Sequence, residues 1–473
     1  MEFQEKSTFA KENPVYDAIP LIIIDKTGKK YPKDTTENLK YYVSSPSWMK
    51  FRLLLFWILW AALIMAITIL FLTFFCFTPR MCHGSNISTM EILFFNFLLY
   101  TISGLWRPVQ WSSKRSKLLY NVFTFLTMYL LIYVVLTHIM YIILVVKNFE
   151  DLASCSFFSA SLTSLLFKAI TVISRRDQII NLIQILQEEP CKARDKEEID
   201  IEMKFDRSIR SYSMRYIILC TFSITSAVIG GILYILEGQI PFGFASVPWD
   251  CTSFLIFLLT SIQEIVGVIL GTIINVATET TLLGFCLQTC ARFEILKHRL
   301  QKMIKHSEKK SIWTNSSNNI LGKRSRLSEH VSHHLCIFRL AQFINDIFSQ
   351  VIFVQFSTSA LVLCSTIYYL SFHITVTTMA TLTVYTFCMF VQIFYYCWAG
   401  NEVTLKSIRF SDEIYNMDWL LMTSSEQKDL LMIMKRSTRP IKFTSSFLVT
   451  LSLESFANIL KASFSAFNIL QQL

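Results

Sequence analysis

Long apolar runs, joined by connections that are alternately crowded with and emptied of lysine and arginine, constrain this 473-residue chain more than any other feature. The runs fall at roughly 51–78, 91–106, 118–146, 152–174, 216–236, 251–290, 336–372, 376–400 and 444–473. Crossing a hydrocarbon core of about 30 Å takes about 20 apolar residues as helix, and lipid leaves backbone polar groups to be satisfied internally. Runs of this kind therefore read as spanning helices. The strand alternation of a membrane barrel is missing, so the expected fold class is all-α, polytopic in a membrane. With 53% hydrophobic and 16% charged residues, the chain is more apolar than a soluble core requires.

The basic residues then orient the helices. Lys and Arg number four in 107–117, one in 147–151, nine in 175–215, none in 237–250, ten in 292–335, none in 371–375 and seven in 401–442. Cytoplasmic loops are enriched in these residues, so seven spans from residue 118 are expected, with the preceding segment cytoplasmic and Leu473 outside. That orientation is the inverse of a G-protein-coupled receptor. The net charge of +10 lies in the connections rather than on one face, which argues against a nucleic-acid partner. Twelve cysteines without CxxC pairs give neither a disulfide framework nor a zinc site, and read as small packing residues.

The pattern from 251 to about 305 stays helical past the bilayer, and 336–372 begins with an amphipathic stretch; such overhangs predict a cytoplasmic bundle. Residues 306–330 read as a mobile loop, and EGQIPFGFASVPWD at 237–250 as a folded cap. His330, His333 and His334 form a single histidine box, too few ligands for a di-iron site, and are expected on a solvated cytoplasmic face. No nucleophile elbow, phosphate loop or zincin motif occurs. Neither an enzyme nor a cofactor is implied. Intramembrane charge must face a partner, a cavity or a pore. Lys168 is placed to snorkel to the cytoplasmic interface. Glu264 faces the bundle interior, either lining a cavity or bonding a neighbouring helix. Gly230 and Gly231 serve close packing or leave room for a ligand beside Tyr234.

The run YCWAGNEVTLKSIRFSDEIYNMDWLLMTSSEQKDLLMIMKRSTRPIKFTSSFLVTLSLESFANILKASFSAFNIL closely resembles the end of insect odorant receptors. From Met90, MEILFFNFLLYTISGLWRPVQWSSKRSKLLYNVFTFLTMYLL resembles their amino-terminus, in a form like that of hymenopteran insects, so the resemblance spans 90–473. It implies a seven-helix bundle with a cytoplasmic amino-terminus, in the plasma membrane of a sensory neuron. It further implies a heterotetramer with the odorant co-receptor around one pore for permeating cations, opened by a volatile small-molecule ligand. By order within the motif, Ile469, Gln472 and Leu473 fall at the outer constriction, where apolar rings gate by dewetting. The family's odour pocket lies between the second, third, fourth and sixth helices. Here that region offers Phe157, Phe158 and Ser161, then Ala227, Gly230 and Tyr234, then Phe257, Thr260 and Ser261, and Met379 with Thr383. Such a pocket binds mainly by apolar and aromatic contact, which suits an ester, terpenoid, phenol or hydrocarbon. A G-protein-coupled or gustatory-type chemoreceptor is the alternative, but neither family's end motifs are present.

Residues 1–89 do not fit that pattern. YYVSSPSWMKFRLLLFWILWAALIMAITIL followed by FTPRMC resembles the membrane anchor of an amino-acid transporter heavy chain, but it has PRMC for Pro-Arg-Cys and lacks the large outer domain, so no transport role is implied. A polar tail at 1–50 carrying Lys26, Lys29, Lys30, Lys33, Lys40 and Lys50 would be cytoplasmic, which places 51–78 across the membrane and the glycosylation sequon at Asn86 outside. Residues 91–106 must then cross back, or the receptor inverts. A fusion of two neighbouring coding segments would account for the mismatch, and a real extension is the alternative; a transcript running continuously through 78–90 would contradict the fusion.

Overall fold

The computed structural model describes residues 93–473 apart from 109–112, 147–148, 243–246, 248, 250, 252, 314–319, 371–375, 446–448 and 471–473. The tail 1–50, the apolar run 51–78, Asn86, Gln472 and Leu473 therefore lie outside the described residues. The described chain is almost entirely helix: α1 Phe94–Ile102, α2 Lys114–Leu144, α3 Phe149–Ser174, α4 Arg176–Gln187, α5 Lys196–Leu236, α6 Phe254–Trp313, α7 Ile320–Leu370, α8 Val376–Tyr415, α9 Ser424–Ser437 and α10 Leu453–Leu470. Six of these, α2, α3 and α5 to α8, are long and apolar enough to cross a membrane. At 1.5 Å per residue the 18-residue α10 reaches about 27 Å, close to the same requirement. The protein is an all-α, multi-pass membrane protein.

Helix α1 settles one question left by the charge pattern. Its nine residues rise only about 14 Å, too little to return across a bilayer. It instead lies against α6: the Tyr100 hydroxyl donates to Thr278 Oγ1 at 3.1 Å, and Leu93 occupies the space that a Cβ on Gly284 would need. A helix of this length does not make the return crossing that is one of the two alternatives for 91–106. A left-handed Gly104, at φ +81°, then turns the chain into α2 beneath Phe123 and Thr127.

Helix α6 is 60 residues, about 90 Å, so much of it stands clear of a 30 Å core. It packs on α5 and α8 along most of its length, while α3 packs chiefly on α7. The basic ends of α5 to α8 form a second, charged bundle on the side that the charge count assigns to the cytoplasm. Arg299, 6% exposed, is its hub: it donates to Glu198 Oε1 at 2.9 Å and Oε2 at 2.8 Å, to the Pro190 carbonyl at 2.7 Å and to that of Lys192 at 2.6 Å. Arg292 reaches Glu202 at 2.6 Å, and Lys406 reaches Glu294 at 2.6 Å. In the α4–α5 connection the Arg194 guanidinium, 3.0 Å from Glu189, holds that carboxyl below the usual carboxylate range.

Three expectations are corrected here. His330, His333 and His334 are buried rather than solvated: His334 stacks on Phe410 at 5.5 Å between centroids, and His333 Nδ1 lies 3.2 Å from Arg299 Nη1. Their α7 face closes the charged bundle, where an imidazole packs as an aromatic ring. Residues 306–313 and 320–330 are helical rather than loop, because α6 and α7 continue past the bundle. The apolar stretch 444–473 is not one helix: Thr444–Ser445 pairs antiparallel with Val449–Thr450 before α10 begins. Leu451 N–H donates to the Phe443 carbonyl at 2.9 Å, and Leu451 Cβ fits where Gly400 has no side chain, so the chain enters α10 pressed on α8.

Candidate functional site

A cavity of about 120 Å³ lies where α3, α5, α6, α7 and α8 meet. Each helix presents one stripe to it, at the i, i+3, i+4, i+7 spacing of a single helical face. Phe158, Ser161, Leu162, Ser164 and Leu165 come from α3; Cys220, Ser223, Ile224 and Ala227 from α5; Tyr385, Cys388, Met389 and Gln392 from α8. Val268, Thr272 and Asn275 of α6 and Gln355 and Thr358 of α7 complete the wall. The fifth spanning helix, α7, is thus an additional contributor, and hydroxyl and amide groups alternate with the apolar ones.

One wall residue, Phe158, adjoins an aromatic cluster outside the cavity. Phe242, in the connection after α5, packs on Phe158 at 5.4 Å between centroids and has a left-handed φ of 67°. A Cβ at Gly231 would sit 3.3 Å from Pro241 and 3.4 Å from Phe242, so a glycine there lets this connection fold down onto α5. Trp249 stacks on Tyr133 at 5.9 Å and its indole N–H donates to Thr260 at 3.1 Å. In the wall itself the Ser161 hydroxyl donates to the Phe157 carbonyl at 3.0 Å, which leaves the Tyr385 hydroxyl to donate to Ser161 Oγ at 2.5 Å.

Behind the wall residues Asn275 and Gln392 lies an ion pair taken out of solvent. Lys168, 1% exposed, contacts Glu279, 4% exposed, and donates to Asn275 Oδ1 at 2.6 Å. Gln392 Nε2 donates to Glu279 Oε1 at 2.5 Å. Lys168 therefore does not snorkel; its charge is held inside by a carboxylate from α6. Fifteen residues earlier on α6, Glu264 is fully buried and accepts a hydrogen bond from Thr137 at 2.8 Å, with His138 Nδ1 4.0 Å from its other oxygen. It joins α6 to α2 and is not among the cavity walls.

Of the residues nominated from the sequence, Phe158, Ser161 and Ala227 line the cavity. Phe157 backs it, its ring 5.6 Å from that of Tyr385. Thr260 is engaged by Trp249, Ser261 is fully buried elsewhere on α6, and Phe257 is 8% exposed in the core. A Cβ on Gly230 would meet open space, and Tyr234, Met379 and Thr383 are exposed. The side chain of Ile469, in the last turn of α10, lies outside the description. Tyr385, Gln392, Asn275 and Ser164 were not nominated, although the recurrence of small and polar residues at helical spacing on α3, α5 and α8 marks the same faces.

Residues 148–464 match the family model described as 7tm Odorant receptor. The chain belongs to the insect odorant receptor family. Odorant receptor 22c of Drosophila melanogaster is 27% identical over 39% of this chain and 46% of its own, and odorant receptor Or2 of Anopheles gambiae 26% identical over 39% and 49%. The chain thus spans about half the length of these curated relatives; odorant receptor 45a of Drosophila melanogaster is 24% identical over 61% of this chain and 75% of its own. In architecture this odorant receptor is similar to the olfactory receptor OR5 from Machilis hrabei in complex with eugenol, with a TM-score of 0.68 at 16% identity over 80% of this chain and 96% of that one.

Proposed function

We propose that this odorant receptor is the odour-binding subunit of a ligand-gated, non-selective cation channel, assembled with the odorant co-receptor in a tetramer in the plasma membrane of a sensory neuron. The observation that carries the reading is the small cavity at the five-helix junction, with Phe158 in its wall packed on Phe242 and with Asn275 and Gln392 backed by the Lys168–Glu279 pair. At about 120 Å³ it is close to the size of a cavity that holds one benzene-sized molecule, and its mixed walls suit a small organic ligand. Lipid covers the outward apolar faces of the bundle, such as Leu118, Phe125 and Ile143 on α2. Helix α10 supplies the pore element, and by sequence order alone Ile469, Gln472 and Leu473 are assigned to the outer constriction.

Binding opens such a channel only if the ligand fits the open bundle better than the closed one. The cavity touches α8, which packs on α10 as well as on α6, so a ligand that shifts α8 also biases the pore helix. No covalent step is involved.

The test is whole-cell current during application of small volatile compounds, eugenol among them, in cells expressing the full chain with and without the co-receptor. Odour-evoked cation current that needs the co-receptor and persists in excised patches without nucleotide is expected. Current that requires GTP would point instead to a G-protein-coupled chemoreceptor and overturn the channel reading.

A further inference from the structure

The cavity wall carries a donor and acceptor pattern that the receptor reading leaves unused. Gln392 is 2% exposed, and its amide orientation follows from its neighbours. A carboxylate oxygen only accepts, so the group 2.5 Å from Glu279 Oε1 is the amide NH₂, and Gln392 Oε1 is left without a hydrogen-bond partner among the described residues. Asn275 is turned the opposite way. An ammonium only donates, so Oδ1 faces Lys168 at 2.6 Å and the NH₂ is directed away from it. The Ser164 hydroxyl, 4% exposed, also has no partner among the described residues. All three side chains line the cavity.

We propose that this cavity selects ligands bearing a neutral hydroxyl group, small alcohols or phenols, whose O–H donates to Gln392 Oε1 while its oxygen accepts from the Asn275 amide or the Ser164 hydroxyl. The proposal rests on the odour-receptor reading and names its ligand class. Ethers, esters and ketones accept but do not donate, so they leave Gln392 Oε1 buried and unpaired; hydrocarbons leave all three side chains so. Charged ligands are excluded as well. A carboxylate would face Glu279, and an ammonium would compete with Lys168 for a carboxylate already engaged. Glu279 and Lys168 act as positioning residues: together they fix which end of each amide the ligand meets.

The experiment compares matched probes on cells expressing the full chain with the co-receptor: 4-ethylphenol, its methyl ether 4-ethylanisole and the hydrocarbon 4-ethyltoluene, beside eugenol and its methyl ether. The phenols should reach half-maximal current at concentrations about tenfold lower than the ethers, as one buried hydrogen bond implies. Gln392→Met, which removes the acceptor that only a hydroxyl can use, should narrow that gap, whereas Ser164→Ala, which removes a donor that phenol and ether oxygens can both use, should weaken both responses and leave the gap in place. Equal potency of phenols and ethers, with robust currents, would overturn the hydroxyl preference and leave the receptor reading intact. Silence toward all probes and a broad volatile panel, with both subunits at the cell surface, would overturn the receptor reading and this inference with it.

Discussion

Lys168→Met keeps the length of the side chain while removing the cation that faces Glu279. The carboxylate is 4% exposed, and its remaining hydrogen bond comes from a neutral amide, Gln392. Breaking a buried ion pair from one side costs about 3–5 kcal/mol, because the surviving charge stays desolvated. Even the lower figure lowers the folded-to-unfolded ratio by about a hundredfold, at roughly 1.4 kcal/mol per factor of ten. Restoring neutrality should recover most of that loss. In Lys168→Met/Glu279→Gln the new amide oxygen can still accept from Gln392, and the double variant should return to within about 1 kcal/mol of the parent. The assay is unfolding of the purified full chain in detergent, followed by intrinsic fluorescence, with surface delivery as a second readout. A single variant as stable as the parent, or a double variant no better than the single, would refute the reasoning that the pair is buried and mutually dependent.

Four further outcomes follow from the same packing. Arg299→Gln should cost about 3–5 kcal/mol, since Glu198 is 2% exposed and loses its guanidinium; the measure is recovery of assembled protein from the membrane. Gly267→Leu should destabilise by about 1–3 kcal/mol, because even a Cβ there would lie 2.5 Å from Val134 Cγ2 on α2; thermal unfolding reports it. Gly231→Val should lift the connection carrying Pro241 and Phe242, weakening odour potency more than surface expression, as dose–response curves would show. Ile469→Asn should raise current in the absence of odour by wetting the proposed constriction; an unchanged resting current would remove Ile469 from the gate.

The spans were legible because lipid demands long apolar runs and the basic residues between them alternate so sharply in number. What pattern alone did not supply was depth and partnership. Residues 91–106 look apolar enough to cross, yet α1 ends after nine residues and Tyr100 and Leu93 tie it to α6. Lys168 read as a snorkelling end because its partner, Glu279, is 111 positions away. The histidines near 330 read as solvated because the charged bundle that encloses them is assembled from distant segments. For the cavity, periodicity gives the face of a helix and not the height along it. On α8 the nominated Met379 and Thr383 lie outward of the residues that reach the cavity, Tyr385 to Gln392. On α3 and α5, Phe158, Ser161 and Ala227 do line the cavity. Asn275 carries no local signal, since its significance comes from the ion pair that it bonds.

The central claim, that occupancy of the five-helix cavity opens the pore, is tested most directly by filling the cavity from its own wall. Ala227→Trp places an indole in a space of about 120 Å³. Odour-evoked current is recorded from cells expressing the variant with the co-receptor, alongside surface labelling and co-purification of the two subunits. The account predicts that the variant reaches the surface and assembles while odour-evoked current is abolished or shifted to far higher concentrations. An unchanged dose–response in the assembled variant would contradict it and place odour recognition elsewhere in the chain.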